Sequence, residues 1–484
     1  MMENSLPKLC RYIGHFSFLA FLACSIWWMY ARVCNMDPAY QVFEMLNTEN
    51  FAISDGRYSM VVSQLLPWFA IRCHASLHTV MLIYSLSFGI MAYLLYLLTL
   101  YVLKADKVAF CMVMVFLCMR HTFMHAISET FQLMFFAMFC YALLSHKRER
   151  GTPAAGLLYY AVLFFSLAFC LFIHPVSVFF LAFIWLYTWI SENFKWRREL
   201  VCSLVFLVVC YLVKPLLPKD GAHDDTFLIP ISDLLRLLPD ILHFGSLKFF
   251  IQHFFDFYYL PVLLFVWTCI CYLKRKEGVK AAFYVLFNFI FFFITIWIYH
   301  AGDGPIGMER SFLPMLFFTG IPFVKEVLPM CNVIFRKGFV CVISLLLVVS
   351  MVRMAAKAES RQRAFRRMEM VLQEARRQNV FKIWVSEEDA KALQIPTDWS
   401  AGISSILYST CKFGKENTMN LYVYSPDVDL TGDELLVKRS FAFVPWWIYR
   451  DSGDMNARYF ALKEGPYCLM ERNKDSLIFK PFAP

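Results

Sequence analysis

Acidic and basic side chains that could work together recur along the first two thirds of the sequence. The two principal carboxylates are Asp37, in CNMDPAYQVFE, and Glu129, in RHTFMHAISET. A carboxylate can take a proton from a hydroxyl group, and arginine or histidine can stabilise a phosphate-type anion. Cationic candidates in neighbouring segments are Arg57, Arg120, His121, His174 and Arg310. These residue types allow proton transfer beside an anion-binding site.

Each carboxylate also has a structural interpretation. Asp37 precedes Pro38, a pair typical of a helix start, so its side chain can serve as a helix N-cap. That role is compatible with a chemical one. Glu129 begins an apolar run and can form a buried ion pair with Arg57 or Arg120.

The remaining candidates are open to two interpretations as well. His174 lies in FIHPVS, a polar turn between two apolar runs, where a histidine is more often an interfacial residue than a ligand. Arg310 follows Glu309 at a helix start, and its guanidinium would suit an anionic head group. Solvation alone could also explain the charges of Glu309 and Arg310.

The composition shows which elements must position these residues. The chain has 484 residues, of which 59% are hydrophobic, 17% are charged and 51 are phenylalanine. Ordinary soluble domains are about a quarter charged. The composition therefore predicts a polytopic membrane protein.

Apolar runs give the number of spans, since roughly 20 apolar residues cross a bilayer. About eleven all-α spans are predicted, near 12–30, 78–103, 108–119, 123–144, 156–173, 176–190, 200–213, 258–273, 281–299, 311–324 and 338–351. The third is short, and 156–190 can also be interpreted as one kinked hairpin.

Lysine and arginine orient these spans. One set of alternate loops carries 17 of these residues and the opposite set carries 9. The N-terminus is therefore expected in the cytoplasm and Asp37 on the outer face. A cleaved signal peptide does not fit, because the first apolar run is too long and has no small-x-small site.

Two outer segments have helical periodicity. The segment after Pro38 predicts a short amphipathic helix at the membrane surface, with an apolar side formed by Tyr40, Val42, Phe43 and Leu46. The segment 220–259 predicts two short interfacial helices broken near Pro239 and Gly245.

The chain divides into a membrane domain, 1–352, and a small α+β domain, 353–484. The second part predicts a basic helix and then strands in FKIWVSE, MNLYVYS and YFALKEG, between turns such as DLTGD and RDSGD. An odd number of spans places this domain outside the cell. Eight basic residues between Arg353 and Arg377 would also suit a cytoplasmic helix.

The cysteines do not define a disulfide framework. Most of the 16 cysteines lie in the apolar spans, where cysteine behaves as a small apolar residue. A disulfide between Cys34 and Cys73, or between Cys411 and Cys468, is left open beside the alternative of free thiols.

The order of these features resembles the GT-C superfamily of membrane glycosyltransferases. The stretches DPAYQVFEML, RYSMVVSQLLPWFAI, HTVMLIYSLSF and ISSILYST are similar to bacterial members of that class. The resemblance implies a multi-pass GT-C-like fold that moves a sugar from a polyprenyl-phosphate-linked donor to a glycan, lipid or protein acceptor. The reaction would take place at the outer face of the cytoplasmic membrane, with inversion at the sugar.

The resemblance also implies roles for individual residues. Asp37 matches the general base and Glu129 a second catalytic acidic position, while the phosphate-binding candidates are Arg57, Arg120, His121, His174 and Arg310. Many members carry two adjacent acids where this chain has Asp37 and Pro38, so no metal ligand is assigned and a divalent metal is left open. The expected partners are the donor, the acceptor and the lipid bilayer, and no nucleic acid.

Other functions of the same architecture are also considered. A lipid-linked oligosaccharide polymerase would share the substrate class but usually has a large outer loop with several arginines. A flippase or transporter would need polar groups deep in several spans, where this chain has few. A non-catalytic scaffold for envelope assembly would not need Asp37.

Overall fold

A computed structural model describes residues 5–53, 56–146, 153–216, 236–302, 304–424, 440–444, 447–473 and 476–481. In these ranges, seven helical segments are long and apolar enough to cross a membrane: Lys8–Trp27, Leu77–Val102, Arg198–Leu216, Phe254–Lys274, Gly278–Ile298, Pro305–Met330 and Val333–Arg377. The protein is therefore a helical multi-pass membrane protein with a small strand-containing region at its C-terminal end.

The first helices are α1 (Ser5–Trp27), α2 (Met29–Val33), α3 (Met36–Thr48), α4 (Met60–Arg72), α5 (Leu77–Leu97), α6 (Asp106–Met114), α7 (Glu129–Ser145), α8 (Pro153–Leu171), α9 (Ser177–Ser191) and α10 (Arg198–Val213). They are followed by α11 (Gly245–Gln252), α12 (Tyr259–Lys274), α13 (Gly278–Ile298), α14 (Pro305–Phe312), α15 (Pro314–Pro322) and α16 (Val333–Arg377).

Helix α7 forms the centre of the bundle. Every residue from Glu129 to Leu144 is buried, and the helix packs against α5, α6, α8, α9 and α15. A helix that is apolar on all sides is expected in such a position. Glu129 is therefore held where the central helix begins.

Two features of the structure lie where the sequence predicts them: the short element near 108–119 and the turn at His174. The predicted third span, near 108–119, is occupied by the short helix α6 and a 3-10 turn, Val115–Cys118. Helices α8 and α9 are separate elements on either side of the His174 turn, and the Nδ1 atom of His174 accepts the N–H of Val176 at 3.1 Å.

The predicted interfacial segment lies partly outside the described residues, which resume at Arg236. Its described part contains a 3-10 turn (Leu238–His243), α11 and a π turn (Phe254–Tyr258). The glycine that begins α11 donates its N–H to His300 O at 2.7 Å. A Cβ at Gly245 would lie 2.6 Å from Ala301 O, so only glycine allows this close approach.

The amphipathic helix predicted after Pro38 is α3, but the prediction that it lies on lipid is wrong. Val42, Phe43 and Leu46 are buried, and the ring of Phe43 stacks on Phe460 at a centroid distance of 5.2 Å. The apolar side of α3 is covered by the C-terminal domain, which a periodic pattern cannot distinguish from lipid.

Helix α16 joins the two parts of the chain without a break. It contains 45 residues, so the predicted division between residues 352 and 353 falls inside a continuous helix. The helix first breaks at Gln378, which follows Arg377 as its C-cap.

The C-terminal region is an α+β unit. Its strands are β1 (Lys382–Ser386), β2 (Asn420–Tyr424), β3 (Ser440–Val444), β4 (Trp447–Asp451), β5 (Cys468–Asn473) and β6 (Ser476–Pro481), and its helices are α17 (Glu387–Leu393) and α18 (Ala401–Phe413). Four strands form a sheet in the order β2-β1-β5-β6, and β3 pairs with β4. Strand β1 is parallel to β2 and β5, whereas β6 is antiparallel to β5.

The predicted strands are only partly correct. FKIWVSE contains β1 and MNLYVYS contains β2. YFALKEG forms no strand, and its sheet contact is one isolated bridge between Leu462 and Thr418. The turn RDSGD is formed by the end of β4 and a 3-10 turn, whereas DLTGD lies outside the described residues.

The C-terminal domain is docked on the segment that contains Asp37. Arg450 pairs with Glu44 at 2.6 Å, and the Asn456 side chain donates to Leu46 O at 2.9 Å. Arg458 pairs with Glu49 at 3.3 Å. These contacts place the domain on the same face of the membrane as α3.

The cysteines are free thiols in the structure. Cys34 is buried and Cys73 is exposed, so the first candidate disulfide is not formed. Cys411 and Cys468 are also unlinked, and Cys411 instead contacts the hydroxyl of Tyr30 at 3.4 Å.

Candidate functional site

Asp37 is the second residue of α3 and does not cap it. The N-cap position belongs to Asn35, whose side chain makes no capping hydrogen bond. The Asp37 carboxylate lies 3.9 Å from Nδ1 of His125 and 3.8 Å from Nη1 of Arg310. Its side chain is 40% exposed, so a ligand can reach it. We call Asp37, His125 and Arg310 the acid centre.

His125 contributes a buried imidazole to the acid centre. Its side chain is 3% exposed, and neither ring nitrogen has a hydrogen-bond partner among the described residues. Burial lowers the pKa of His125, Asp37 opposes that shift and Arg310 adds to it. His125 therefore lies beside the Asp37 carboxylate without a hydrogen bond to it.

The start of α3 is held in place from the C-terminal domain. The Met36 N–H donates to Oγ of Ser400 at 2.8 Å, and Arg361 donates to Oδ1 of Asn35 at 2.9 Å and also bonds Asp398. Burial raises the pKa of Asp398, but Arg361 and Ser400 outweigh this effect and leave the pKa below its ordinary value. The Ser400 hydroxyl therefore holds the backbone directly before Asp37, and Arg361 holds the side chain of Asn35.

Glu309 anchors the other side of the site. Its carboxylate accepts the N–H groups of Arg120 and His121, each at 2.7 Å. It also accepts the N–H of Thr122 at 3.2 Å and the Thr122 hydroxyl at 2.5 Å. Glu309 is 1% exposed, so solvation does not explain its charge. This carboxylate ties the turn at 120–122 to the helix that carries Arg310.

Glu129 forms the structural ion pair that the sequence left open. Its partner is Arg57, at 3.0 Å, and the two side chains are 5% and 18% exposed. His174 lies close enough for its charge to act on Glu129. Asp37, Arg57, Glu129, His174 and Arg310 therefore belong to one region, but Glu129 is too enclosed to meet a substrate directly.

Arg120 and His121 face a second group of charges around Asp256. The Asp256 carboxylate lies 3.0 Å from His253 Nδ1 and 3.7 Å from each of Arg120 and Arg353. Burial, Lys357 and Arg120 together lower the pKa of His121 to about 4. We call these six residues the basic cluster.

The charges of the basic cluster do not balance. Arg120, Arg353 and Lys357 are cationic, and the carboxylates near them are Asp256, beside the two arginines, and the buried Glu309. A small cavity beside them is lined by Arg120, Asp256 and Arg353, and also by the apolar Leu346 and Val349 of α16. The cavity has a volume of only about 20 Å³, so an anion attracted by these charges would lie at its mouth, beside the apolar wall.

Several of these residues were not identified from the sequence. His125 lies in the polar cluster that also contains His121 and Glu129, and Asp256 is one of six aspartates in the segment 220–259. The signal that could have found the others is spacing, because Arg353, Lys357 and Arg361 follow one another at intervals of four. That spacing places them on one face of a helix.

The fold and the site define a class: a helical multi-pass membrane protein with a reachable carboxylate and an excess of positive charge. Among the described residues, no group of three histidine, cysteine, aspartate or glutamate side chains is arranged to hold a metal ion. The sequence matches no protein-family model, and a search of curated proteins finds no match.

Proposed function

We propose that this protein is an integral-membrane glycosyltransferase. It moves a sugar from a polyprenyl-phosphate-linked donor to a glycan, lipid or protein acceptor of the cell envelope. The observation that carries this proposal is the acid centre, where the reachable Asp37 carboxylate stands beside Arg310. Glu309 holds the basic cluster next to the acid centre. A proton acceptor and an anion-binding region would therefore share one face of the membrane.

The proposed reaction uses these two parts differently. Asp37 takes the proton from the acceptor hydroxyl while the acceptor oxygen forms a bond to the anomeric carbon. The bond from that carbon to the donor phosphate breaks, and the sugar passes through an oxocarbenium-like state with inversion. The phosphate leaves as an anion, so Arg120, Arg353 and Lys357 stabilise it electrostatically and no general acid is required.

The other candidate residues support this geometry. His125 lies beside Asp37 in a buried position, and the ion pair of Arg57 and Glu129 is enclosed in the same region. Glu129 is thus assigned a positioning role in the proposed mechanism. Arg310 lies beside Asp37, where its charge can attract either the acceptor or the donor phosphate.

We further propose eleven crossings and an outer location for the site. Arg11 pairs with Asp106 at 3.0 Å and His15 bonds Tyr101 at 2.8 Å, which groups the start of α1 with the segment between α5 and α6. Trp28 bonds Glu359 at 3.0 Å, which groups the end of α1 with α16. The excess of lysine and arginine on the first side supports its location in the cytoplasm.

The function can be tested with purified protein in nanodiscs. A panel of polyprenyl-phosphate sugars, each labelled in the sugar, should give label transfer and release of polyprenyl phosphate with at least one donor. Movement of intact donor across a vesicle membrane without release would favour a flippase. Absence of turnover with the whole panel, together with normal folding, would favour a scaffold.

The orientation can be tested with reporter insertions in whole cells. In the loop between α12 and α13, near Lys276, a reporter that works only in the cytoplasm should be active, and a reporter that works only after export should be inactive. After Pro484 the opposite result is expected: only a reporter that works after export should be active. The reason is that the C-terminal domain contacts α3, which the proposal places on the outer face. The proposed outer location would be wrong if the reporter that works only in the cytoplasm were active at both positions.

A further inference from the structure

A second, larger cavity lies between the C-terminal domain and the loop that joins α4 to α5. Its volume is about 440 Å³. The membrane domain contributes His74, Ala75, Ser76, Leu77 and His78, and the C-terminal domain contributes Thr410, Cys411, Lys415, Arg458 and Tyr459. None of these residues belongs to the acid centre or the basic cluster, so this cavity is a separate feature.

The side chains around this cavity are basic. His74, His78, Lys415 and Arg458 line it, and none of the described lining residues is a carboxylate. The nearby Glu49 pairs with Arg458 at 3.3 Å and lies 3.9 Å from Arg72. One carboxylate therefore faces two guanidinium groups, and the Lys415 charge adds to the positive excess.

The backbone adds to the attraction for an anion. Helix α5 begins at the cavity wall, where Ser76 is the N-cap and accepts the Thr79 N–H at 3.2 Å. The helix contains 21 residues, and its N-terminal end carries the positive end of the helix dipole. Helix N-termini of this kind are common binding sites for phosphate.

Two buried polar groups in the wall lack partners. The Tyr459 hydroxyl and the Nη2 atom of Arg458 make no hydrogen bond among the described residues, although Tyr459 is only 4% exposed. Buried polar groups are rarely left in this state. A bound oxyanion would provide acceptors for both once the Arg458 and Tyr459 side chains, which pack on each other, turn toward the cavity.

We propose that this cavity binds the phosphate group of a ligand at the membrane surface. The volume lies in the range of small-ligand sites, and the position at the start of a membrane helix is the level of lipid head groups. The phosphate can therefore come from an anionic phospholipid or from a soluble phosphate ester. The inference does not depend on the proposed sugar transfer.

The test uses the full-length protein in nanodiscs of two compositions. In phosphatidylcholine alone, binding of glycerol phosphate and inorganic phosphate is measured by calorimetry. With added phosphatidylglycerol, the change in unfolding temperature is measured without a soluble probe. Binding in the first arm identifies a soluble ligand, and stabilisation in the second arm identifies a lipid head group.

Lys415→Gln and Tyr459→Phe are the informative variants. We expect Lys415→Gln to raise the dissociation constant in the first arm about tenfold, the effect of losing one charge-assisted hydrogen bond. In the second arm it should reduce the rise in unfolding temperature that phosphatidylglycerol causes. Tyr459→Phe should also weaken binding while leaving the unfolding temperature in phosphatidylcholine unchanged. A purely structural hydroxyl would give no change in binding.

Lys463→Gln is the matched control. Lys463 is an exposed lysine of the same domain that lies over the ring of Phe381, 3.9 Å from its centroid, and it does not line the cavity. The proposal is overturned if neither arm shows a response in the wild type. It is also overturned if Lys415→Gln and Lys463→Gln have equal effects.

Discussion

Replacement of Asp37 by asparagine should lower the rate of sugar transfer by about 10²–10⁴-fold, the usual contribution of a general base. Asparagine keeps the size of the side chain but cannot accept the proton. Folding should change little, because the contacts to His125 and Arg310 are long, at 3.9 and 3.8 Å. Asn35 occupies the N-cap position, so the substitution removes no cap.

The matched control for this prediction is Asp106→Asn. Asp106 is 37% exposed, close to the 40% of Asp37, and it also has a cationic neighbour, Arg11. It lies at the start of α6, on the side of the bundle opposite to α3. Initial rates should fall for Asp37→Asn alone. Equal rates in the two variants would remove Asp37 from the proposed mechanism.

Replacement of Glu309 by glutamine should destabilise the protein by about 3 kcal/mol, the order expected when a buried charged acceptor loses several hydrogen bonds. Three N–H groups and one hydroxyl converge on this carboxylate. A glutamine would direct its own N–H₂ group at some of these donors. The turn that contains Arg120 would then separate from α14, and sugar transfer should fall as well.

Thermal unfolding in detergent, with hydrogen exchange at residues 119–124, measures this effect. Glu388→Gln is the control, since Glu388 is exposed in the C-terminal domain and should change the unfolding temperature little. Exchange should accelerate at the turn in Glu309→Gln before the whole protein unfolds. An unchanged unfolding temperature and unchanged exchange would show that the carboxylate is not the anchor.

The helices of the membrane domain could be predicted because a bilayer restricts what the sequence can do. Backbone groups in lipid must be satisfied within the chain, so long apolar runs become helices. The central helix α7 and the turn at His174 were predicted near their observed positions for this reason. The environment of α3 was predicted wrongly, because lipid and Phe460 require the same apolar side chains.

The candidate site was harder to predict, since its contacts connect distant parts of the chain. From the sequence, Glu129 has two potential partners, and only the packing of the bundle selects Arg57, 72 residues away. In the sequence, nothing distinguishes Asp256 from the other five aspartates of the segment 220–259; the fold places Arg120 and Arg353 beside it. Pairing of this kind depends on helix rotation, which a single sequence does not specify for a buried bundle.

The unbroken α16 gives the protein a geometric constraint. At a rise of 1.5 Å per residue, its 45 residues form a rod of about 68 Å, with no swivel between the bilayer and the C-terminal domain. One residue added after Arg353 would turn that domain by about 100° around the rod axis and carry Arg361 away from Asn35. Seven added residues, about two turns, would restore the direction but lift the domain by about 10 Å. The rotation of the C-terminal domain around α16 therefore determines whether Arg361 meets Asn35, and with it whether the site is assembled.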